Sequence, residues 1–427
     1  MAEAVQSSDW FRLDNAAKIY PPAYSDLAPE VFRVGLTLTA PVRLEPMRRA
    51  LERTIRRCPY YQVHLHRGLF WYYLQRHQSP PRIELLQDLP VSRIRMRSRD
   101  EPLFRVFVRD RRVRIDFSHV LTDGHGALRF LSTMIAEYLR QLGVPVPSGG
   151  LILNPDDTPL PDESRDAYQD LYDRGTPKPS ALNPAYHIPG RPVPGYHRIL
   201  TGTVSAEQAV GAAREFSVSL TELLSGVYLH SLLQIRQTSE TPAHSRPIVR
   251  LEVPVDMRRI HPSETMRNFS LFVMPGVDTR LGNYTLAEII RTVHHTMRLQ
   301  LDPKALRQQI ARNVGGENLM VVRVIPLLIK DVYLSSLHHR LGGNLFSGVI
   351  SNLGSVVFPQ PMAEHVADLT FVLGPNPTLR KAISVVTYGG RLNITIGSVI
   401  ESRELERLFF TTLTSLGLSV RVSEQES

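Results

Sequence analysis

Residues 104–143 read FRVFVRDRRVRIDFSHVLTDGHGALRFLSTMIAEYLRQLG, and three patterns follow one another there without a break. From Phe104 to Phe117 the residues alternate in character on either side of Asp110-Arg111-Arg112, which predicts an antiparallel hairpin whose second strand ends at Ser118-His119. A loop, HVLTDGHG, then leads into a helix that carries Leu128, Leu131, Ile135, Tyr138 and Leu142 on one stripe and closes at Gly143, a C′ glycine. A strand thus delivers His119 to a rigid end, Gly124 and Gly126 are expected to permit a sharp turn, and a helix begins at once.

The same grammar extends outward. Residues Val31 to Thr39 alternate as a half-buried strand. Beyond it, Met47, Ala50, Leu51, Thr54 and Ile55 make the apolar face of a helix that starts near Pro46 and stops before Pro59. Two more strands, Tyr60 to His66 and Leu69 to Leu74, follow around Arg67-Gly68. Eleven of the 32 prolines then fall between Val144 and Leu200, a composition shift that marks a crossing segment. Past it come a helix capped by Ser205 and Gln208, a longer helix from Ser219, a strand at Ile248 to Val255, and helices at Thr285 to Leu301 and Pro303 to Asn313. Strands at Val349 to Ile350, Asp368 to Leu373, Ala382 to Thr387 and Leu392 to Gly397 precede a closing helix from Ser402. Two halves of like size and grammar predict a mixed α/β protein of two related lobes: residues 1–175, a Pro-rich crossover at 176–194, and residues 195–427.

Composition narrows the function. With 427 residues, 42% hydrophobic and 21% charged, the chain has the proportions of an ordinary globular protein, and disorder is excluded. Cys58 is the single cysteine, so no intrachain disulfide or cysteine-based metal cluster can form, and a reducing cytoplasm is expected. The N-terminal residues carry no signal-peptide pattern, and no apolar run reaches the roughly 20 residues of a bilayer span. The net charge of +9 is almost wholly arginine, since only five of the 50 basic residues are lysines, and it favours an anionic partner. Arg93, Arg95, Arg97 and Arg99 alternate like a phosphate strip or an edge strand, but no aromatics interleave them, so nucleic acid is not expected. The pairs His294-His295 and His338-His339 put neighbours on different helix faces, so no metal site is expected, and Cys58 reads as structural. There is no phosphate loop, dinucleotide fingerprint or GxSxG elbow.

The chemistry concentrates at His119. With 15 His, 19 Asp and 26 Gly in the chain, a His followed by Asp at +4 and Gly at +5 arises by chance roughly 0.04 times. A histidine accepts a proton near neutrality, and Asp123, pointing back through the turn, suits an anchor that ties the loop to a cation. The same residues also read as a surface histidine before an Asp-Gly turn.

The HxxxDG run His119 to Gly124, near residue 120 of a chain with a second lobe after it, resembles the chloramphenicol acetyltransferase-like superfamily. That group holds condensation domains of nonribosomal peptide synthetases, plant acyl-CoA-dependent acyltransferases, mycobacterial polyketide-associated acyltransferases and alcohol acetyltransferases. The runs FRLDNAAKIYPPAY, GLFWYYL, VPVDMRR and SNLG look most like the free-standing alcohol acetyltransferase-like branch; a DFGWG signature and a second histidine before His119 are absent. The resemblance covers nearly the whole chain. It implies two chloramphenicol acetyltransferase-like lobes forming a pseudo-dimer with a tunnel between them, His119 as general base, and Arg258 of the D-x-R segment as the partner of Asp123, with Gly124 supporting the motif. It places Ser351 and Asn352 of SNLG toward the tunnel as candidate oxyanion donors. The implied reaction moves an acyl group from acyl-CoA or the phosphopantetheinyl thioester of an acyl carrier protein to an alcohol, making an ester. Amide-forming condensation, or a non-catalytic carrier-protein or lipid-binding module on the same fold, are the alternatives. No bound cofactor or metal, no nucleic acid and no oligomer is expected, only a small-molecule acceptor, a thioester co-substrate and a monomer of secondary metabolism.

Overall fold

In the computed structural model, residues 10–25, 27–77, 81–85, 91, 94, 101–238, 246–317, 325–332 and 343–425 are described. The arginines at 93, 95, 97 and 99 and the pair His338-His339 lie outside them. The first half contains strands β1 (Trp10–Arg12), β2 (Val31–Leu38), β3 (Val63–Arg67), β4 (Tyr72–Arg76), β5 (Ile83–Leu85), β6 (Phe104–Arg109) and β7 (Arg112–Ser118). Its helices are α1 (Tyr20–Ala23), α2 (Leu44–Arg57) and α3 (Gly124–Gln141). The second half runs β8 (Arg198–Ser205), α4 (Ala206–Glu215), α5 (Leu220–Thr238), β9 (Ile248–Asp256), β10 (Ser270–Val273), β11 (Gly276–Asp278), α6 (Leu286–Gln300) and α7 (Pro303–Glu317). It continues through β12 (Gly348–Val356), α8 (Gln360–Ala363), β13 (Val366–Leu373), β14 (Lys381–Tyr388), β15 (Arg391–Ser398), α9 (Glu404–Ser415) and β16 (Arg421–Gln425).

The expected hairpin forms, Phe104 opposite Phe117 and Arg109 opposite Arg112, so that Arg112 already belongs to β7, with Asp110 taking the left-handed turn conformation at φ 49°. Helix α3 packs Leu128, Leu131, Ile135 and Leu139 against Met47, Ala50, Leu51 and Ile55 of α2, all buried in one core. It ends at Gln141, and Gly143 at φ 89° is the C′ residue. At α4 only half of the expected reciprocal cap forms, Ser205 Oγ accepting from the Gln208 N–H, whereas Thr285 and Glu288 make a complete capping box at α6.

The two large sheets do not follow a single cut along the chain. The first is ordered β13-β2-β7-β6-β5, and the second β10-β9-β12-β14-β15-β8-β16, with β11 also on β9. Strand β13, from the second half, pairs antiparallel with β2 from Val366–Leu38 to Leu373–Phe32 and buries Leu369 and Phe371 in the first lobe's core. The expected assignment of all of 195–427 to the second lobe therefore omits a strand exchange: residues 366–373 complete the first lobe's sheet before the chain returns to β14. Burying the Phe371 ring against Phe32 is worth about 1.5–3 kcal/mol, so the exchanged strand is a structural bond between lobes.

The Pro-rich segment adds a second tie. Arg57 of α2 holds the Glu163 carboxylate with two bonds, at 2.7 and 2.6 Å. The Glu163 carbonyl accepts from the Met266 N–H at 2.8 Å, and the Tyr168 hydroxyl donates to the Ser270 carbonyl at 2.5 Å. The crossing chain is thus sandwiched between α2 and residues 257–269, the connection from β9 to β10, and that connection positions the site.

Candidate active site at the lobe junction

His119 stands just past the end of β7, held through its backbone rather than its ring. Its N–H donates to the Glu30 carbonyl at 2.9 Å and its carbonyl accepts from Asn268 Nδ2 at 2.9 Å, one bond from each lobe. Two aromatic rings flank the imidazole, Tyr20 stacked at 5.2 Å between centroids and Phe32 at 4.5 Å. The ring is half-buried, and Nδ1 points inward, where it has no hydrogen-bond partner among the described residues. Burial lowers the imidazole pKa to about 4 against opposing influences from Asp123 and the Thr122 backbone, so the ring is neutral at physiological pH and able to accept a proton.

Asp123 points away from the imidazole. It is the N-cap of α3, Oδ1 accepting from the Gly126 N–H at 3.1 Å, while Oδ2 accepts from Arg258 Nη1 at 2.9 Å and from the Phe269 N–H at 2.8 Å. Burial pushes this carboxyl up, but Arg258, His125 and the Phe269 N–H outweigh it and hold the pKa below the usual aspartate value. Arg258 is fixed on every side: Nη1 also donates to Asp256 Oδ1 at 2.9 Å, Nε to the Thr265 carbonyl at 2.9 Å and Nη2 to the Arg267 carbonyl at 2.5 Å. The guanidinium therefore staples the motif of the first lobe to the 257–269 connection of the second.

The motif glycines serve space rather than turn geometry, which corrects the expectation of a sharp turn: neither Gly124 nor Gly126 has positive φ. A Cβ on Gly124 would lie 2.5 Å from Cδ2 of Leu353, a side chain of the SNLG run, so β12 abuts the start of α3. A Cβ on Gly126 would overlap the Met266 carbonyl oxygen and Thr122 Oγ1, themselves bonded at 2.6 Å. Leu353 can rotate aside; a backbone carbonyl cannot. Gly126→Ala should accordingly destabilise by about 1–3 kcal/mol, and by more than Gly124→Ala, in denaturant midpoints measured side by side.

Ser351 and Asn352 lie on β12 just before Leu353, where the strand breaks register between Asn352 and Ser355. The Asn352 amide is already engaged, Nδ2 donating to Thr221 Oγ1 at 3.0 Å and Oδ1 accepting from the Gly354 N–H at 2.8 Å. Sequence reasoning assigned no site role to Tyr20, Glu30, Phe32 and Asn268, which have no spacing relation to the motif, and named Leu353 only as part of the SNLG run. It also passed over His125, inside the motif loop, whose Nδ1 lies 3.4 Å from Asp256 Oδ2. His294, half of a histidine pair, bonds the Glu222 carboxylate at 3.1 Å, and Cys58 is buried with its thiol pushed up to about 12. Among the described residues no group of three or more metal-ligating side chains could hold an ion. No single described helix is long and apolar enough to cross a membrane.

Fold and site together describe two lobes, a strand exchanged between them and a histidine held at their junction. No family model matches the chain, and no curated protein does. Solved structures do. Polyketide synthase associated protein 5 from Mycobacterium tuberculosis is 16% identical with a TM-score of 0.62, the match covering 95% of this chain and 97% of that one. Trichothecene 15-O-acetyltransferase TRI3 from Fusarium sporotrichioides is 11% identical with a TM-score of 0.60, over 97% and 96% of the two chains. The condensation domain of the Monacolin K polyketide synthase MokA is 11% identical with a TM-score of 0.59, over 95% and 96%. The chain has the fold of the condensation domains and chloramphenicol acetyltransferase-like acyltransferases.

Proposed function

We propose that this chain transfers an acyl group from a thioester to an alcohol, with His119 as general base. The observation that carries the reading is the state of His119: neutral, anchored by both lobes through its backbone, and with Nδ1 turned inward so that Nε2 is the nitrogen left for a substrate. Nε2 takes the proton of the acceptor hydroxyl as its oxygen attacks the thioester carbonyl. The tetrahedral oxyanion then collapses, the C–S bond breaks, and the thiolate recovers the proton from the imidazolium. The enzyme forms no covalent bond in either step.

Donors for the oxyanion come from the Ser351 hydroxyl and nearby backbone N–H groups; Asn352 contributes only by giving up its bond to Thr221. Ester formation is supported by the likeness in fold to an O-acetyltransferase, and a thioester donor by the likeness to condensation domains. We favour acyl-CoA over an acyl carrier protein because the sequence runs most resemble free-standing acyltransferases; the arginine excess suits either donor, the phosphates of coenzyme A or an acidic carrier protein.

Purified protein offered a panel of acyl-CoAs and acyl carrier proteins against alcohols and amines tests this. Transfer from an acyl-CoA to an alcohol is expected. Transfer only from acylated carrier protein overturns the donor assignment, amide products overturn the acceptor, and saturable binding without turnover across the panel makes the chain a binding module.

A further inference from the structure

Three strands of the second lobe run the same way, β12 pairing parallel with both β9 and β14. Their C-terminal ends face the motif, since Asp256 closes β9 beside His125 and Leu353 of β12 abuts Gly124. Their N-terminal ends lie roughly 25 Å away, the length of β9 at about 3.3 Å per residue. Arg246 stands two residues before β9 there and Arg380 immediately before β14, one on each side of β12. Both take left-handed backbone conformations, at φ 54° and 62°. Such conformations persist in non-glycine residues only where the surroundings enforce them, and they gather at binding sites.

Residues 185–190, which run beside the start of β9 through the Ala185–Ile248 bridge, hold both side chains. Arg246 Nη1 donates to His187 Nδ1 at 3.3 Å, and Arg380 Nε donates to the Gly190 carbonyl at 2.9 Å. Because an arginine only donates, the His187 proton sits on Nε2, which donates to the Gly343 carbonyl at 3.0 Å. Gly343 packs in turn on Thr378, two residues before Arg380: a Cβ on Gly343 would lie 2.7 Å from Thr378 Cγ2. The imidazole is therefore wedged between the Arg246 guanidinium and the loop that leads into Arg380. Burial, then the charges of Arg246 and Arg380, lower its pKa to about 4, so it is neutral. Among the described residues neither arginine has a carboxylate partner, and Arg380 Nη1 is buried without an acceptor. A buried guanidinium N–H lacking both acceptor and counter-ion is costly, and a bound anion supplies both.

We propose that Arg246 and Arg380 bind a phosphate group, at a site separate from His119 and at the far end of the second lobe's sheet. Two guanidinium forks offer planar, bidentate donors and two positive charges, which match a phosphate dianion better than a single carboxylate. His187 is a positioning residue: its neutral ring accepts from Arg246 and is braced by the Gly343 carbonyl. The phosphates of coenzyme A and those of a free phosphorylated metabolite share the chemistry that this site reads. The inference does not need the acyltransferase reading, so binding here and turnover at His119 fail separately.

The test titrates the full chain with inorganic phosphate by calorimetry at constant ionic strength, with chloride as the control. Saturable binding is expected, weakened at least tenfold in Arg246→Gln and in Arg380→Gln, whose melting curves without phosphate show that they fold. Arg380→Lys keeps the charge but not the fork and should retain part of the binding. No saturable binding of phosphate to the wild type, or binding that either glutamine variant leaves unchanged, overturns the proposal. Competition then separates the sources once binding is found. Displacement of phosphate by coenzyme A but not by dephospho-coenzyme A assigns the site to the 3′-phosphate of the donor, and displacement by both assigns it to the donor's diphosphate. Displacement by neither assigns it to a free phosphorylated ligand, and the site stands in each case.

Discussion

His119→Ala should reduce acyl transfer by about 10²- to 10⁴-fold, the range over which a positioned general base acts, with the protein still folded. The expectation of folding follows from how the residue is held. Its two anchoring bonds, to the Glu30 carbonyl and from Asn268 Nδ2, belong to the backbone and survive truncation of the ring. What is lost is the imidazole between Tyr20 and Phe32, a half-buried ring whose removal leaves accessible space rather than a sealed cavity. The pH profile gives a second readout. Because burial sets the imidazole near 4, kcat/KM should show no loss of base between pH 7 and 5, where an ordinary histidine would protonate at about 6.5. Stability moves the opposite way in that window. The unfolded chain binds the His119 proton near 6.5 and the folded chain only near 4, so between those values the unfolded state holds more protons and stability falls as pH falls. His119→Ala should therefore flatten the decline in melting temperature between pH 6.5 and 4. A variant that keeps the wild-type transfer rate would remove His119 from the mechanism.

Much of the fold was legible because local patterns carried it. The hairpin, α3 with its C′ glycine, the capped α6 and most strands of the second half are written as alternation, helical stripes and caps, which depend on residues a few positions apart. The exchange of β13 was not legible, because residues 366–373 alternate like any half-buried strand and nothing in them names β2, some 330 positions earlier, as the partner. The same distinction runs through the site. His119, Asp123 and Gly124 are legible as one motif, and Arg258 through its resemblance to a D-x-R segment. Asn268 reaches the histidine, and Leu353 the motif's Gly124, only through tertiary folding, so no spacing could announce these contacts. The role of Gly126 was misread for a related reason: a tight turn and a close approach by another chain segment both demand glycine, and only the position of the Met266 carbonyl decides between them.

Asp123→Ala should be strongly destabilising, costing about 3–5 kcal/mol for the partner charge that loses its buried anion and about 1 kcal/mol more for the lost cap of α3. The Arg258 guanidinium would remain between two carbonyls and Asp256, inside a region only 6% accessible at its side chain. The Phe269 N–H would lose its acceptor as well. Asp123→Asn keeps an oxygen for the Gly126 and Phe269 N–H groups and should recover part of both stability and activity. Arg258→Ala strands Asp123 and Asp256 together and frees the Thr265 and Arg267 carbonyls, so it should cost at least as much as breaking the pair from the other side. The double variant should then lose markedly less than the sum of the two, because each single change already removes the shared bond. The sign with pH is fixed by the lowered Asp123 pKa: the pair's contribution is complete above the unfolded aspartate value of about 3.9 and disappears as pH falls through the folded value beneath it. At neutral pH the full cost should therefore appear in denaturant midpoints, with transfer falling in parallel as the motif loop loosens from residues 257–269. If Asp123→Ala melted like the wild type yet abolished transfer, the carboxylate would be acting on the substrate, and its place as a structural anchor would have to be given up.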